Sequence, residues 1–265
     1  MNTAPGSWLV TEPSDDAPFR LFCLPHAGAG ASTYRTWSAA LSPAGIGVTP
    51  VQLPGRENRF GERALDRLEP IVDAVTKTIM PHSDRPFALF GHSMGALIAF
   101  EVTRSLRRRG AAPPAHLYVS GRMAPQLREH RPVLHHLSDR DLVAELRELG
   151  GIHEAVLRNR ELLALHLPVV RADLAVNETY RHQPELPLDV PITAFGGDAD
   201  PKVDESELLA WRTQTAGPFR AQLLPGGHFF LTASLTQVCA RIVSDFSSLA
   251  WRDATSRARV DVRSG

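Results

Sequence analysis

Short apolar runs alternate with helically spaced segments over the first 120 residues of the chain. The apolar runs are residues 19–24, 48–53, 87–90 and 117–120. Each run is followed by proline or glycine, and apolar side chains recur at helical spacing within residues 68–80 and 96–110. Short strands that alternate with helices are typical of βαβ units. The pattern therefore predicts an α/β fold with a mostly parallel central sheet flanked by helices.

A helical block interrupts this alternation. From about residue 134 to 183 the apolar positions follow only helical spacing, with an interruption expected at Pro168. Strand-like runs return at residues 192–195 and 219–224, and a last helix is expected over 234–246. An insertion beside an active site commonly serves as a lid. The expected organisation is a flexible N-terminal segment (1–17), a core (18–124 and 186–250), a helical lid insertion (125–185) and a flexible tail (251–265).

Composition argues against several functional classes. The 29 basic residues are balanced by 29 acidic ones, without the positive excess typical of nucleic-acid binders. No run approaches the roughly 18 apolar residues of a membrane helix, and the N-terminus lacks a signal-peptide pattern. Cys23 and Cys239 lie in apolar segments, without the spacing of a metal site or a disulfide framework. We therefore expect a cytoplasmic protein that binds no nucleic acid, membrane or metal.

The longest basic run, Arg107–Arg109, is followed directly by Gly110. Cations are favourable at a helix C-terminus, where glycine often forms a left-handed cap. This arrangement favours a helix end over the alternative, a phosphate-binding patch.

Residues 91–95 (Gly-His-Ser-Met-Gly) form a G-x-S-x-G pattern between an apolar strand and a helix. In that context the pattern predicts a sharp turn in which flanking glycines avoid clashes and Ser93 projects above the sheet. Ser93 is therefore the predicted nucleophile. The alternative is a glycine-rich strand-to-helix turn without chemistry.

A serine nucleophile needs a base, and the chain has eleven histidines. His228 follows a strand-like run and residues 225–227 (Pro-Gly-Gly), so it falls on a loop at the carboxyl end of a strand. His92 lies inside the serine turn itself and is expected to point away from Ser93. The order of nucleophile and base along the chain favours His228.

The carboxylate that orients the base should lie between Ser93 and His228 in the chain. Asp198 and Asp200 both follow the run at residues 192–195. We favour Asp200, which lies further out on its loop, and expect Asp198 to bind backbone N–H groups of its own loop.

Two backbone N–H groups should form an oxyanion hole for the reaction. Met94, directly after the nucleophile, supplies the first. The small-residue loop of residues 25–30 can approach a ligand closely, so Ala27 is the expected second donor, with Gly28 as the alternative. The chain has neither a G-x-G-x-x-G dinucleotide motif nor a P-loop lysine, so no cofactor is expected.

Six motifs spread over residues 18–248 resemble those of the type II thioesterases that accompany polyketide and nonribosomal peptide synthases. They are residues 24–31 (Leu-Pro-His-Ala-Gly-Ala-Gly-Ala), 52–57 (Gln-Leu-Pro-Gly-Arg-Glu), 91–96 (Gly-His-Ser-Met-Gly-Ala), 167–173 (Leu-Pro-Val-Val-Arg-Ala-Asp) with Tyr180 beyond it, 195–201 (Phe-Gly-Gly-Asp-Ala-Asp-Pro) and 226–230 (Gly-Gly-His-Phe-Phe). As a set, these motifs are far more specific than the serine turn alone.

The resemblance implies an α/β-hydrolase fold with a helical lid. It also implies hydrolysis of acyl thioesters on acyl or peptidyl carrier proteins, which removes stalled or aberrant acyl groups from the phosphopantetheine arm. The residues themselves leave two alternatives open. One is an esterase, lipase or lactonase with the same catalytic residues, and the other is a non-catalytic binding module on the same fold.

Overall fold

A single parallel sheet lies at the centre of the protein. The computed structural model describes residues 6–127, 132–148, 150–151 and 154–247. Within these residues, six strands form one sheet in the order β2-β1-β3-β4-β5-β6. The strands are β1 (Phe19–Leu24), β2 (Ile46–Pro50), β3 (Phe87–His92), β4 (His116–Ser120), β5 (Ile192–Gly197) and β6 (Phe219–Leu224). The expected tail 251–265 and the first five residues of the N-terminal segment lie outside the described residues.

Helices cover both faces of the sheet. They are α1 (Trp37–Leu41), α2 (Leu68–Ile79), α3 (Met94–Arg108), α4 (Asp139–Glu148), α5 (Glu154–Leu157), α6 (Arg160–Thr179), α7 (Glu205–Leu209) and α8 (235–247). One core lies between the sheet and the helices α2 and α3, and includes Val75 and Ile98. A second core on the opposite face contains Trp37 of α1 and Ile242 of α8. This three-layer arrangement confirms the predicted α/β fold.

The helical block has a small core of its own. Apolar side chains of α4 and α6 pack together within it: Leu142, Leu146, Leu167, Val170 and Leu174. A helix that buries its apolar face against a neighbouring helix gains most of its stability from that contact. The block is thus a packed unit that begins after β4 and ends before β5.

Two elements differ most from the expectation. Helix α6 continues through Pro168, where the sequence suggested an interruption. Proline removes one backbone hydrogen bond. The helix is retained despite that loss because flanking side chains of α6 are buried. Strand β2 begins at Ile46, earlier than expected, and Leu53 is buried in a loop rather than in the sheet. Gly47 separates Ile46 from the apolar run at residues 48–53, on which that expectation relied.

The basic run Arg107–Arg109 lies at the C-terminus of α3, as predicted. Its first two guanidinium groups donate to Glu185 at 2.7 Å each, and the third donates to Asp73 at 2.5 Å. Gly110 has φ +62°, the left-handed conformation expected of a glycine cap. The three arginines are therefore ion-paired side chains at the end of a helix.

None of the described helices is long and apolar enough to cross a membrane. Both cysteines are buried and unpaired, and burial raises the pKa of the Cys239 thiol to about 11. Among the described residues, no cluster of three or more His, Cys, Asp or Glu side chains could hold a metal ion.

Candidate active site

Four loops meet at the carboxyl edge of the sheet, after strands β1, β3, β5 and β6. Because the strands are parallel, the loops that follow them emerge on the same side. These loops carry Ala27, Ser93, Asp200 and His228, in chain order. The topology therefore brings the predicted residues to one edge.

Ser93 occupies a strained turn between β3 and α3. Its backbone has φ 53° and ψ −111°, a combination that residues other than glycine rarely adopt. The turn is held by hydrogen bonds from the Ser93 N–H to the Ser120 carbonyl (2.7 Å) and from the Ala96 N–H to the Ser93 carbonyl (3.1 Å). This is the conformation that a nucleophile turn uses to project its hydroxyl from the sheet.

The glycines of the serine turn allow three backbone segments to meet. A Cβ atom on Gly91 would collide with the Gly95 carbonyl group, and a Cβ on Gly95 would collide with the Leu24 carbonyl group at the end of β1. The loop that follows β1 is thereby held against the N-terminus of α3. Glycine is required at both positions by close approach.

We expect Gly95→Ala to lower kcat/KM by at least about 10²-fold, because the displaced Leu24 carbonyl would carry the Ala27 loop with it. Hydrolysis of an acyl substrate and thermal melting measure the effect. Gly61→Ala is the matched control, since a Cβ there meets open space. Wild-type activity in Gly95→Ala would contradict the need for this close approach.

His228 lies between Ser93 and Asp200. Its Nε2 atom is 3.2 Å from Ser93 Oγ, and its Nδ1 atom is 2.8 Å from Asp200 Oδ2. The Asp200 side chain is fully buried, and that of His228 is 6% exposed. An Nδ1–H that donates to the carboxylate leaves Nε2 to accept the proton of the serine hydroxyl. The three side chains are thus arranged for nucleophilic catalysis.

Asp198 holds the neighbouring loop rather than its own. Its Oδ1 atom accepts the Gly226 N–H at 2.9 Å, and the Ala199 N–H donates to the Gly226 carbonyl at 3.0 Å. We expected the bond to stay within the Asp198 loop, but the two loops leave the paired strands β5 and β6 and run side by side. Asp198 therefore ties the loop of His228 to that of Asp200.

The two predicted oxyanion donors differ in environment from the alternative, Gly28. Within the described part of the chain, the N–H groups of Ala27 and Met94 make no hydrogen bond. Met94 is the first residue of α3, where backbone N–H groups lack intrahelical acceptors. The Gly28 N–H donates to the Asp173 carboxylate at 2.7 Å and is therefore occupied.

Two further imidazoles pack near His228. His92 points away from Ser93, as expected, and its Nδ1 atom is 3.0 Å from Ser120 Oγ. Burial lowers the pKa of His92 well below its usual range. Burial also lowers the pKa of His26 to about 4, despite a hydrogen bond to the Ala27 carbonyl. Both rings are therefore neutral at neutral pH and serve as packing groups.

A cavity of about 220 Å³ opens beside Ser93 and His228. The loops after β4 and β5 line one side, and helices α4 and α6 line the other through Glu145, Leu174 and Asn177. The lining combines apolar and charged side chains. The cavity thus lies between the sheet edge and the helical block.

Comparison with known proteins identifies the family. A family model described as a thioesterase domain matches residues 19–246. This chain belongs to the thioesterase family. The thioesterase is 46% identical to the gramicidin S biosynthesis protein GrsT of Aneurinibacillus migulanus over 228 residues, which are 86% of this chain and 89% of GrsT.

Solved structures agree with this assignment. RedJ, a thioesterase of the prodiginine biosynthetic pathway in Streptomyces coelicolor, shares 44% identity with a TM-score of 0.82 over 89% of each chain. BorB, the type II thioesterase of the borrelidin biosynthetic cluster, shares 38% identity with a TM-score of 0.83 over 92% of this chain and 99% of BorB. The predicted α/β-hydrolase fold and the resemblance to type II thioesterases are confirmed.

Sequence reasoning missed a buried ion pair in this thioesterase. Arg56 and Asp173 belong to two of the motifs behind the resemblance, but the motifs alone do not indicate a role for either residue. The available signal was the position of Asp173, a carboxylate among the apolar residues Val170 and Leu174 of α6. A charge in such a place predicts a buried partner. The spacing along the chain does not identify that partner.

Proposed function

We propose that this thioesterase releases acyl groups from the phosphopantetheine arm of acyl or peptidyl carrier proteins. The expected role is removal of stalled or aberrant acyl groups during polyketide or nonribosomal peptide synthesis. The descriptions of GrsT, RedJ and BorB as proteins of biosynthetic pathways support this substrate class. The observation that carries the chemistry is the hydrogen-bonded line from Ser93 through His228 to Asp200.

In the first half of the reaction, His228 Nε2 takes the proton of Ser93 as Oγ attacks the thioester carbonyl. The N–H groups of Ala27 and Met94 stabilise the oxyanion. The buried carboxylate of Asp200 stabilises the imidazolium. The tetrahedral intermediate then collapses, the C–S bond breaks, and the imidazolium protonates the departing pantetheine thiolate.

In the second half, water replaces the thiol. His228 takes a proton from the water as its oxygen attacks the acyl-Ser93 ester, and the same two N–H groups hold the new oxyanion. Collapse returns the proton to Ser93 Oγ and releases the acid. No step requires a metal or cofactor.

The helical insertion of residues 125–185 acts in this proposal as a lid over the core of residues 18–124 and 186–250. Its helices supply one wall of the cavity beside Ser93, which supports a role in shaping the acyl site. The cytoplasmic location is part of the same proposal and agrees with two buried, unpaired thiols.

A substrate panel tests the proposal. One acyl group is presented as a carrier-protein thioester, as an N-acetylcysteamine thioester and as a simple ester, and the released acid is identified by mass. We expect kcat/KM to be highest for the carrier-protein thioester and lowest for the ester, because only the carrier substrate offers the full pantetheine arm and a protein surface.

Two outcomes would contradict the proposal in different ways. Equal or faster hydrolysis of the ester would favour an esterase. Absence of turnover together with a Ser93 that a fluorophosphonate leaves unmodified would favour a non-catalytic binding module.

A further inference from the structure

A buried ion pair joins the loop after β2 to helix α6. The Arg56 guanidinium makes two hydrogen bonds to the Asp173 carboxylate, at 2.5 and 2.8 Å. The two side chains are 6% and 1% exposed, respectively. Paired parallel bonds of this kind fix orientation as well as distance. The ion pair therefore holds α6 and the β2 loop in one relative position.

The same pair holds the loop that carries Ala27. Asp173 Oδ2 accepts the Gly28 N–H at 2.7 Å, and Arg56 donates to the Ala29 carbonyl at 3.2 Å. The peptide between Ala27 and Gly28 is planar, so anchoring its N–H fixes one side of Ala27. Ala27 thus lies between this anchor and the end of β1 at Leu24, which together limit the directions that its N–H can take.

Gly28 fits directly against one face of α6. It has φ +78°, and a Cβ atom there would lie 2.9 Å from Val170 Cγ2 and 3.3 Å from His166 Nε2. His166, Val170 and Asp173 follow one another at spacings of four and three residues, which places them on the same face of the helix. The loop is thus seated on α6 itself.

Stability alone is a weak explanation for a buried ion pair. The desolvation of two charges largely offsets their attraction, and apolar replacements of both partners are often neutral for stability. Oxyanion donors, by contrast, require accurate placement, since a displacement of about 1 Å can lower a rate by about 10²-fold. The contacts of this ion pair with Gly28 and Ala29 indicate that it places the loop that carries Ala27.

We infer that Arg56 and Asp173 are positioning residues for the oxyanion hole. They act through Gly28 and Ala29 on the Ala27 N–H. Through them, the position of α6 helps to set the geometry of the oxyanion hole. This inference rests on the proposed function, because it takes the Ala27 N–H as a donor to the oxyanion.

The double variant Arg56→Met/Asp173→Leu tests the inference without leaving a lone buried charge. We expect kcat per active site on an acyl N-acetylcysteamine thioester to fall by about 30- to 100-fold, with KM changed less than about 3-fold. Active sites are counted by the stoichiometry of fluorophosphonate labelling, so a partly unfolded sample does not distort kcat.

A boronic acid provides the readout that a structural role would not change. Its adduct with Ser93 places an oxygen in the oxyanion hole, so its Ki should rise by the same factor by which kcat falls. Arg56→Lys keeps the charge but loses the paired geometry. In this variant, kcat should fall and the boronate Ki should rise by about 10-fold each.

The control is a second buried ion pair, Arg104 with Glu101, at 2.6 Å and with side chains 2% and 11% exposed. It lies on α3, about 12 Å along the helix from Ser93 at its nearer residue. Arg104→Met/Glu101→Leu should leave both kcat per active site and the boronate Ki unchanged.

Wild-type kcat per active site in both Arg56 variants would overturn the inference, as would a fall in kcat with an unchanged boronate Ki. Failure of the proposed function has a different result. In that case the wild-type protein itself would not release acid from thioesters, or its hydrolysis would survive the loss of Ser93.

Discussion

Ser93→Ala is expected to lower thioester turnover by at least about 10⁴-fold while the protein remains folded. The substitution removes the Oγ atom that lies 3.2 Å from His228 Nε2 and adds no bulk. Ser93 already has φ 53°, so alanine inherits the strain of the turn rather than creating it. Acid release at saturating substrate measures the activity, and thermal melting measures the fold.

A serine on helix α3, which follows the turn, serves as the control for this prediction. Ser105 accepts a hydrogen bond from Arg109 at the C-terminal end of α3, so Ser105→Ala should retain wild-type turnover. Acid release by Ser93→Ala at the wild-type rate would exclude Ser93 as the nucleophile. Fluorophosphonate labelling at another residue would do the same.

Asp200→Asn is expected to lower kcat by about 10³- to 10⁴-fold. The carboxylate accepts a hydrogen bond from His228 Nδ1 at 2.8 Å, whereas an amide can donate to that atom and favour the wrong tautomer. An amide also lacks the charge that stabilises the imidazolium. The change should fall on kcat more than on KM, because the substrate does not contact this buried side chain in the proposed mechanism.

Asp198→Asn is the paired variant, and it should lower kcat by less than about 10-fold. Its remaining carbonyl oxygen can still accept the Gly226 N–H, which is the bond that Asp198 makes. A larger loss in Asp198→Asn than in Asp200→Asn would transfer the orienting role to Asp198. Comparison of kcat for the two variants under identical conditions decides between them.

Local features of this protein could be predicted from the sequence because their causes are local. Strands β1 and β6 have the predicted bounds, and each ends directly before a proline. The serine turn also has a local cause, since its two glycines prevent clashes. The order of Ser93, Asp200 and His228 along the chain restricts the choice of base and of orienting carboxylate. The parallel sheet explains why their loops meet.

Features that depend on distant partners could not be predicted in the same way. Arg56 and Asp173 are 117 residues apart, and no spacing rule pairs them. The continuity of α6 through Pro168 depends on packing against α4, which outweighs a local preference. The bond of Asp198 to Gly226 depends on the pairing of β5 with β6.

The close packing of α6 against Gly28 has a consequence for the engineering of new acyl preferences. Transplanting the insertion from one member of the family into another exchanges a cavity wall, but it also exchanges the partner of Arg56. A chimaera that takes Asp173 from one parent and Arg56 and Gly28 from another would combine a helix and loops that do not fit each other. Chimaeras should therefore inherit these three positions from a single parent.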